Sequence, residues 1–255
     1  MTFAVSQSDA LTFVRELPAG EVAAMVTDPP YCSGGFTETA RRGSTGQGVV
    51  SQRRDVESYF EGDNMGTAGL VWLLRSLAFE VSAKLRPGGS LLVACDWRQV
   101  ANIGPAIESS GLRWTNLVVW DKGSPALGVG FRAQHELFLQ FTNGTSKHGS
   151  DKSTPNVIRA KRVPGKRKHH FAEKPLALLR QLIRPITKRG ELVVDPFCGS
   201  GAVGCAALAE GRRFLGCDRD AGFVEVARQR LELVAADPLS NADLADAKQT
   251  GLFAK

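Results

Sequence analysis

Short apolar runs alternate along the chain with longer stretches in which apolar residues recur every three or four positions. Runs rich in β-branched residues and closed by turn formers predict strands over 22–28, 89–96, 115–120, 136–141, 191–195 and 213–218. Helical spacing between them predicts helices over 68–85, 99–110, 175–188, 202–210 and 221–234. Leu85-Arg86-Pro87-Gly88-Gly89 reads as a helix stop and a turn into the next strand. Strands alternating with helices of this length imply βαβ units and a mainly parallel, doubly wound α/β sheet. Two stretches break the pattern. Residues 32–54 are rich in Gly, Ser and Thr and carry the pairs Arg41-Arg42 and Arg53-Arg54, and a basic run lies between Asn143 and Pro175.

Composition narrows the class. The chain has 255 residues, 43% hydrophobic and 23% charged, enough to bury a core without disulfides or metals. Five scattered cysteines without a close pair read as reduced thiols, and neither a secretory leader nor a membrane-length apolar run is evident, so a cytoplasmic protein is expected. The net charge of +6 is concentrated: residues 143–175 hold nine Lys or Arg against two acids. A charge run of this kind is usually a solvated loop, but here it interrupts a regular α/β pattern, which favours an inserted element for a polyanion.

Two motifs carry candidate chemistry. The first apolar strand runs straight into Asp28-Pro29-Pro30-Tyr31. Prolines cannot extend a sheet ladder, so the strand must end there with a carboxylate, a bare carbonyl and a ring held rigidly at its edge. An isolated Asp-Pro-Pro is commonly just a turn, so the second motif matters. Gly199-Ser200-Gly201-Ala202-Val203-Gly204 follows a strand and opens a helix, and Asp218 ends the next strand, where a carboxylate can accept a ribose diol. Taken alone this fits a dinucleotide and hence an NAD-dependent oxidoreductase. However, Asp195-Pro196-Phe197 puts an acid where a diphosphate would lie, and the motif comes late in the chain. A nucleoside with a cationic substituent, S-adenosylmethionine, fits better. A non-catalytic nucleic-acid-binding protein would leave residues 28–31 unexplained.

These motifs, in this order, resemble the β group of DNA amino-methyltransferases. "DPPY" (28–31) matches its catalytic motif and "DPFCGSG" (195–201) its cofactor motif; "SQSDALTFVRELP" (6–18), "LRPGGSLLVACDWRQ" (85–99), "VVWDKG…GFRAQHELFL" (118–139) and "HHFAEKP" (169–175) fill the intermediate positions. The resemblance implies a Rossmann-like methyltransferase fold with one antiparallel hairpin strand. It also implies a catalytic and cofactor domain over 1–142 and 171–236, a target-recognition insertion over 143–170 and a tail over 237–255. Cofactor contacts are expected from Asp9, Ala10, Asp28, Lys174, Asp195, Phe197, Gly199, Ser200, Gly201 and Asp218. Gly201-Ala202-Val203 departs from the family's Gly-Thr-Thr, removing a hydroxyl from the helix start.

The chemistry of the first motif suits an exocyclic amino group. Its nitrogen is a poor nucleophile because the lone pair is delocalised into the ring. Asp28 and the Pro29 carbonyl can accept both N–H groups and localise that pair, with Pro30 fixing the geometry and Tyr31 stacking on the base. Adenine N6 is favoured over cytosine N4, because cytosine enzymes of this family more often carry Ser in place of the Asp. Phe131 is the candidate for the base's second face. Double-stranded DNA would be held by Lys161, Arg162, Lys166, Arg167, Lys168 and His169, aided by Arg41, Arg42, Arg53 and Arg54. So short a recognition segment suggests a homodimer. Gln249, Leu252 and Phe253 resemble a peptide that docks on the sliding clamp; packing of Phe253 onto its own domain is the simpler reading. No metal is expected.

Overall fold

The computed structural model describes residues 2–30, 65–126, 129–146, 149–163 and 173–237. Tyr31, Arg41, Arg42, Arg53, Arg54, Lys166, Arg167, Lys168, His169, Gln249, Leu252 and Phe253 therefore lie outside the described residues. In chain order the elements are β1 (Phe3–Gln7), α1 (Ala10–Glu16), β2 (Val22–Thr27), α2 (Thr67–Lys84), β3 (Leu85–Cys95), α3 (Val100–Glu108), β4 (Arg113–Asp121) and β5 (His135–Thr142). There follow β6 (Val157–Arg159), α4 (Leu176–Ile183), β7 (Leu192–Asp195), α5 (Ala202–Ala209), β8 (Arg213–Asp218) and α6 (Ala221–Ala236).

All eight of these strands join one sheet in the order β1-β8-β7-β2-β3-β5-β4-β6. Only β5 runs antiparallel, against β3 on one side and β4 on the other; the remaining pairings are parallel. The expected doubly wound α/β sheet with a hairpin strand is what the chain forms. Successive strand residues face opposite layers, as a pleated strand requires. Leu92, Ala94, Phe138 and Val193 enter the layer that packs α4, α5 and α6. Leu91, Val93, Leu139 and Val194 enter the layer that packs α1, α2 and α3.

Three elements were not legible from periodicity. β1 is a partly exposed edge strand and α1 has seven residues, both too short for a clear repeat. β6 has three residues within the basic stretch, and its Ile158 is buried beneath flanking exposed residues. That changes the picture of the insertion over 143–170. Its described part is built into the body: β6 pairs with β4, the Trp120 indole N–H donates to the Ala160 carbonyl at 2.7 Å, and the Gly149 N–H donates to the Pro185 carbonyl at 2.7 Å. Buried Arg212 secures the same stretch, donating to Ser150 Oγ at 2.6 Å and to the Thr187 carbonyl at 2.8 Å. The turn expected over 85–89 is present as an excursion inside β3: Leu85 pairs with Val22, pairing resumes at Ser90 with Ala24, and Gly88 between them takes φ 79°.

Where α5 packs against β8 and α6, the side chains of Phe214 and Leu231 fill the space over Gly204. A Cβ on Gly204 would lie 2.6 Å from Phe214 Cε1 and 2.7 Å from Leu231 Cδ2. Gly204→Ala should therefore lower the unfolding free energy by about 1–3 kcal/mol, since a packed core resists added volume. Urea titration of both proteins measures this, and coincident midpoints would contradict the contact.

Candidate active site

The middle of the sheet sets the location. β2 feeds α2 on one face while β7 feeds α5 on the other, yet β2 and β7 are hydrogen-bonded neighbours, with Ala24 opposite Val193 and Met25 opposite Val194. The helices that follow the two strands thus lie on opposite faces, and in such sheets the carboxyl ends at this point are the usual ligand position. Asp28 follows β2 and Asp195 ends β7, so the two sequence motifs meet there. Thr27 joins them, its hydroxyl donating to Asp195 Oδ1 at 2.7 Å in a buried contact.

Asp195 is 1% exposed and also accepts from the Phe197 N–H at 3.1 Å. Burial pushes its carboxyl up to about 7, and the charges of Asp28 and Asp218 add to that against these hydrogen bonds. Next along the edge, Asp218 orients the glycine loop: Oδ2 accepts from the Gly199 N–H at 2.8 Å and Oδ1 from the Asp220 N–H at 3.0 Å. Gly199 and Gly201 take φ 48° and 82°, which a side-chain-bearing residue adopts only with strain. Gly201 is the N-cap of α5 and, being glycine, supplies no side-chain cap. The N-terminus reaches the same edge. Ser8 N–H donates to the Asp218 carbonyl, and Asp9 accepts from Leu11 and Thr12 N–H groups at 3.1 and 3.0 Å, capping α1 ahead of buried Ala10.

The catalytic candidate has two unlike oxygens. Asp28 Oδ2 receives the Lys174 ammonium at 2.5 Å, whereas Oδ1 is buried with no hydrogen-bond partner among the described residues. Pro29 is buried behind it, and Pro29 and Pro30 line a shallow cleft with Ala94, Cys95, Asp96 and Gln99. Lys174, an expected cofactor contact, has its ammonium between carboxylates, 3.2 Å from Glu136 Oε2 as well as against Asp28. Lys122 closes the row at 2.5 Å from Glu136 Oε1.

Sequence reasoning missed Glu136, Lys122, Glu173 and Arg230. Arg230 is 5% exposed on α6, donates to the Ser200 carbonyl and hydroxyl at 2.8 Å each, and pairs with Glu173 at 2.6 Å. A signal existed: Arg230 adjoins the buried stripe Val224, Ala227, Leu231 and Val234, where an unpaired cation could not sit. Of the remaining candidates, Phe131 is fully exposed on the β4–β5 connection. Lys161 and Arg162 are exposed just beyond β6, the Arg162 guanidinium donating to the Ser124 carbonyl at 3.0 Å.

The site thus offers a buried carboxylate acceptor, a glycine loop and three facing acids. It presents no reactive thiol among the described residues: Cys95, Cys198, Cys205 and Cys217 are buried, and burial pushes Cys95 up to about 12. Also among the described residues, no cluster of His, Cys, Asp and Glu is placed to hold a metal ion, and no helix is long and apolar enough to cross a membrane.

Comparison with known proteins supplies the wider context. A family model described as DNA methylase matches residues 22–229. The type II methyltransferase M2.DpnII of Streptococcus pneumoniae is 28% identical over 250 residues, an alignment covering 88% of each chain. Among solved structures, the PvuII DNA methyltransferase (cytosine-N4-specific) superposes with a TM-score of 0.69 at 18% identity, covering 95% of this chain and 93% of that one. The M1.HpyAVI–SAM complex superposes with a TM-score of 0.63 at 20% identity, covering 90% and 100%. At such identities the structural likeness establishes the fold.

Asp195 generates a pH prediction. Its folded value, about 7, lies above the ordinary carboxyl value near 4, so the neutral form stabilises the fold fully below that ordinary value. The stabilisation is lost as pH rises through about 7. Unfolding free energy of the ligand-free protein should fall by about 2 kcal/mol between pH 5 and pH 8 from this group. Asp195→Asn should flatten that slope in denaturant titrations across the range.

Proposed function

The chain belongs to the N6/N4 DNA methylase family, and from that premise we propose that it methylates adenine N6 in double-stranded DNA. S-adenosylmethionine is the donor, supplying when bound a methyl group made electrophilic by a cationic sulfur. The residues present suit that group. Asp28, Asp195 and Asp218 bring negative charge to one crevice, and their mutual repulsion helps hold Asp195 above its ordinary value. A cation relieves that repulsion and a diphosphate worsens it. Gly199, Ser200 and Gly201 would admit the ligand's backbone, Asp218 the ribose hydroxyls, and Asp9, Ala10 and Phe197 the adenine end.

One observation carries the reading: Asp28 Oδ1 is buried and has no donor among the described residues. A buried carboxylate oxygen in that state is costly unless a ligand completes it. The N–H of an extruded base does so, with the Pro29 carbonyl taking the second N–H. Both acceptors are fixed by the prolines before the base arrives, so little reorganisation is needed as the nitrogen becomes tetrahedral. The displaced proton leaves to Asp28 or to water. Tyr31 would stack on the base, replacing the contacts it loses on leaving the duplex. An Asp at the motif's head supports adenine. The likeness in fold to a cytosine-N4 enzyme makes N4 of cytosine the second reading.

Incubation with plasmid DNA and labelled donor, followed by single-molecule mapping of modified bases, tests the proposal. The expected product is N6-methyladenine; N4-methylcytosine would select the second reading, and unlabelled DNA would overturn both. Asp28→Ala should abolish labelling while leaving the circular dichroism spectrum unchanged. DNA affinity should fall about a hundredfold between 50 and 200 mM salt if about four phosphates are neutralised by Lys161, Arg162 and their neighbours. An affinity independent of salt would remove those residues from the interface.

A further inference from the structure

Four charged side chains of alternating sign form a row leading away from the crevice: Asp28, Lys174, Glu136 and Lys122. Successive closest contacts are 2.5, 3.2 and 2.5 Å. They come from four places in the chain, namely the end of β2, the segment entering α4, the interior of β5 and the residue after β4. Lys174 is 6% exposed, and burial alone would favour its neutral form. The carboxylates on either side more than offset that, raising its pKa, while Lys174 and Lys122 hold Glu136 below the usual carboxylate range despite its burial. The row is electrically balanced, which is the condition for keeping buried charges at tolerable cost.

The neighbouring residue ties the same segment to the cofactor loop. Glu173 pairs with Arg230, and Arg230 holds both the carbonyl and the hydroxyl of Ser200. Glu173 and Lys174 are adjacent in the chain, yet one is bonded toward the glycine loop and the other toward the catalytic carboxylate. Displacing this dipeptide would disturb both halves of the crevice together.

Resting on the methyl-transfer reading above, we propose that Lys174 is the positioning residue of the reaction. By gripping Asp28 Oδ2 it turns Oδ1 toward the target amino group, and Glu136, backed by Lys122, fixes Lys174 for that task. Glu136 matters because an ammonium held by a single carboxylate can swing about it. One held from two sides cannot, and its hydrogen-bond direction then sets the Asp28 rotamer. The contrasting role, a direct ligand of the cofactor, is at odds with an ammonium lodged between two protein carboxylates.

Steady-state methylation by the full chain, with kcat and KM resolved separately, and calorimetric binding of S-adenosylhomocysteine separate the two roles. The charged groups facing Asp28 are Lys174, Asp195 across the β2–β7 gap, and Glu136 behind Lys174. Lys174→Met should lower kcat about a hundredfold while leaving KM for DNA nearly unchanged, because the acceptor oxygen is no longer held in the productive direction. Affinity for S-adenosylhomocysteine should change less than about threefold, and Lys174→Arg should restore part of kcat, since a cation at that site keeps its charge. Glu136→Gln, which retains the Lys174–Asp28 pair but loosens it, should shift kcat in the same direction by less and provides the measurement if Lys174→Met does not fold. A loss of cofactor affinity with kcat unchanged would overturn the proposal and make Lys174 a cofactor ligand. A wild-type protein that leaves DNA unmethylated would bring down the functional reading itself, and the positioning role with it.

Discussion

The parallel pairing of β2 with β7 is the contact on which the site depends. Both strands are buried on both faces, so their backbone groups must be satisfied by one another, and slippage by one residue would invert the side chains of each. That register carries Thr27 to Asp195 and sets Asp28 beside them. The helices that follow the two strands pack on opposite faces, so the strand ends with their acids come together at the point where the layers part.

A site made in this way gathers acids. Asp9 and Asp220 cap helices at the same edge, Asp218 holds the glycine loop, and Asp28 and Asp195 flank the opening. Capping acids are stabilised by the helix N-termini they serve, so they are satisfied without a ligand. Asp195 is not balanced to the same degree, as its raised pKa shows. Asp28 is balanced on one oxygen only. The asymmetry separates acids that build the edge from acids that await a partner, and it suits a cationic donor lying beside a neutral amino acceptor.

The basic side of the molecule is joined to this edge through β6. Trp120 and Ile158 secure that strand in the core, while Arg159, Lys161 and Arg162 remain outside. A polyanion drawn to these cations would meet the carboxyl edge of the same sheet. Arg212, though cationic, takes no part in this surface; it is buried and ties residues 149–151 to the end of α4 and the turn beyond it. Lys174, counted in the basic stretch, is likewise buried between carboxylates, so net charge along the sequence overstates how much of it is available to bind.

Much of the architecture could be read from the chain, because it is local. Apolar alternation marks strands, helical spacing marks helices, and prolines and glycines mark where they stop. The motifs around Asp28 and Gly199 were legible for the same reason: each is a contiguous turn whose chemistry depends on neighbouring residues. β1, α1 and β6 were not, being too short for periodicity to rise above composition. The Asp28–Lys174–Glu136–Lys122 row and the Glu173–Arg230–Ser200 link were beyond reach as well. A charged residue in a sequence reads as surface until its partner is known, and these partners lie far apart along the chain. Sequence determined which carboxylates stand at strand ends; only the folded sheet decided which of them are gripped by a cation and which oxygen is left open, because pairing of buried charges is settled by distance in space.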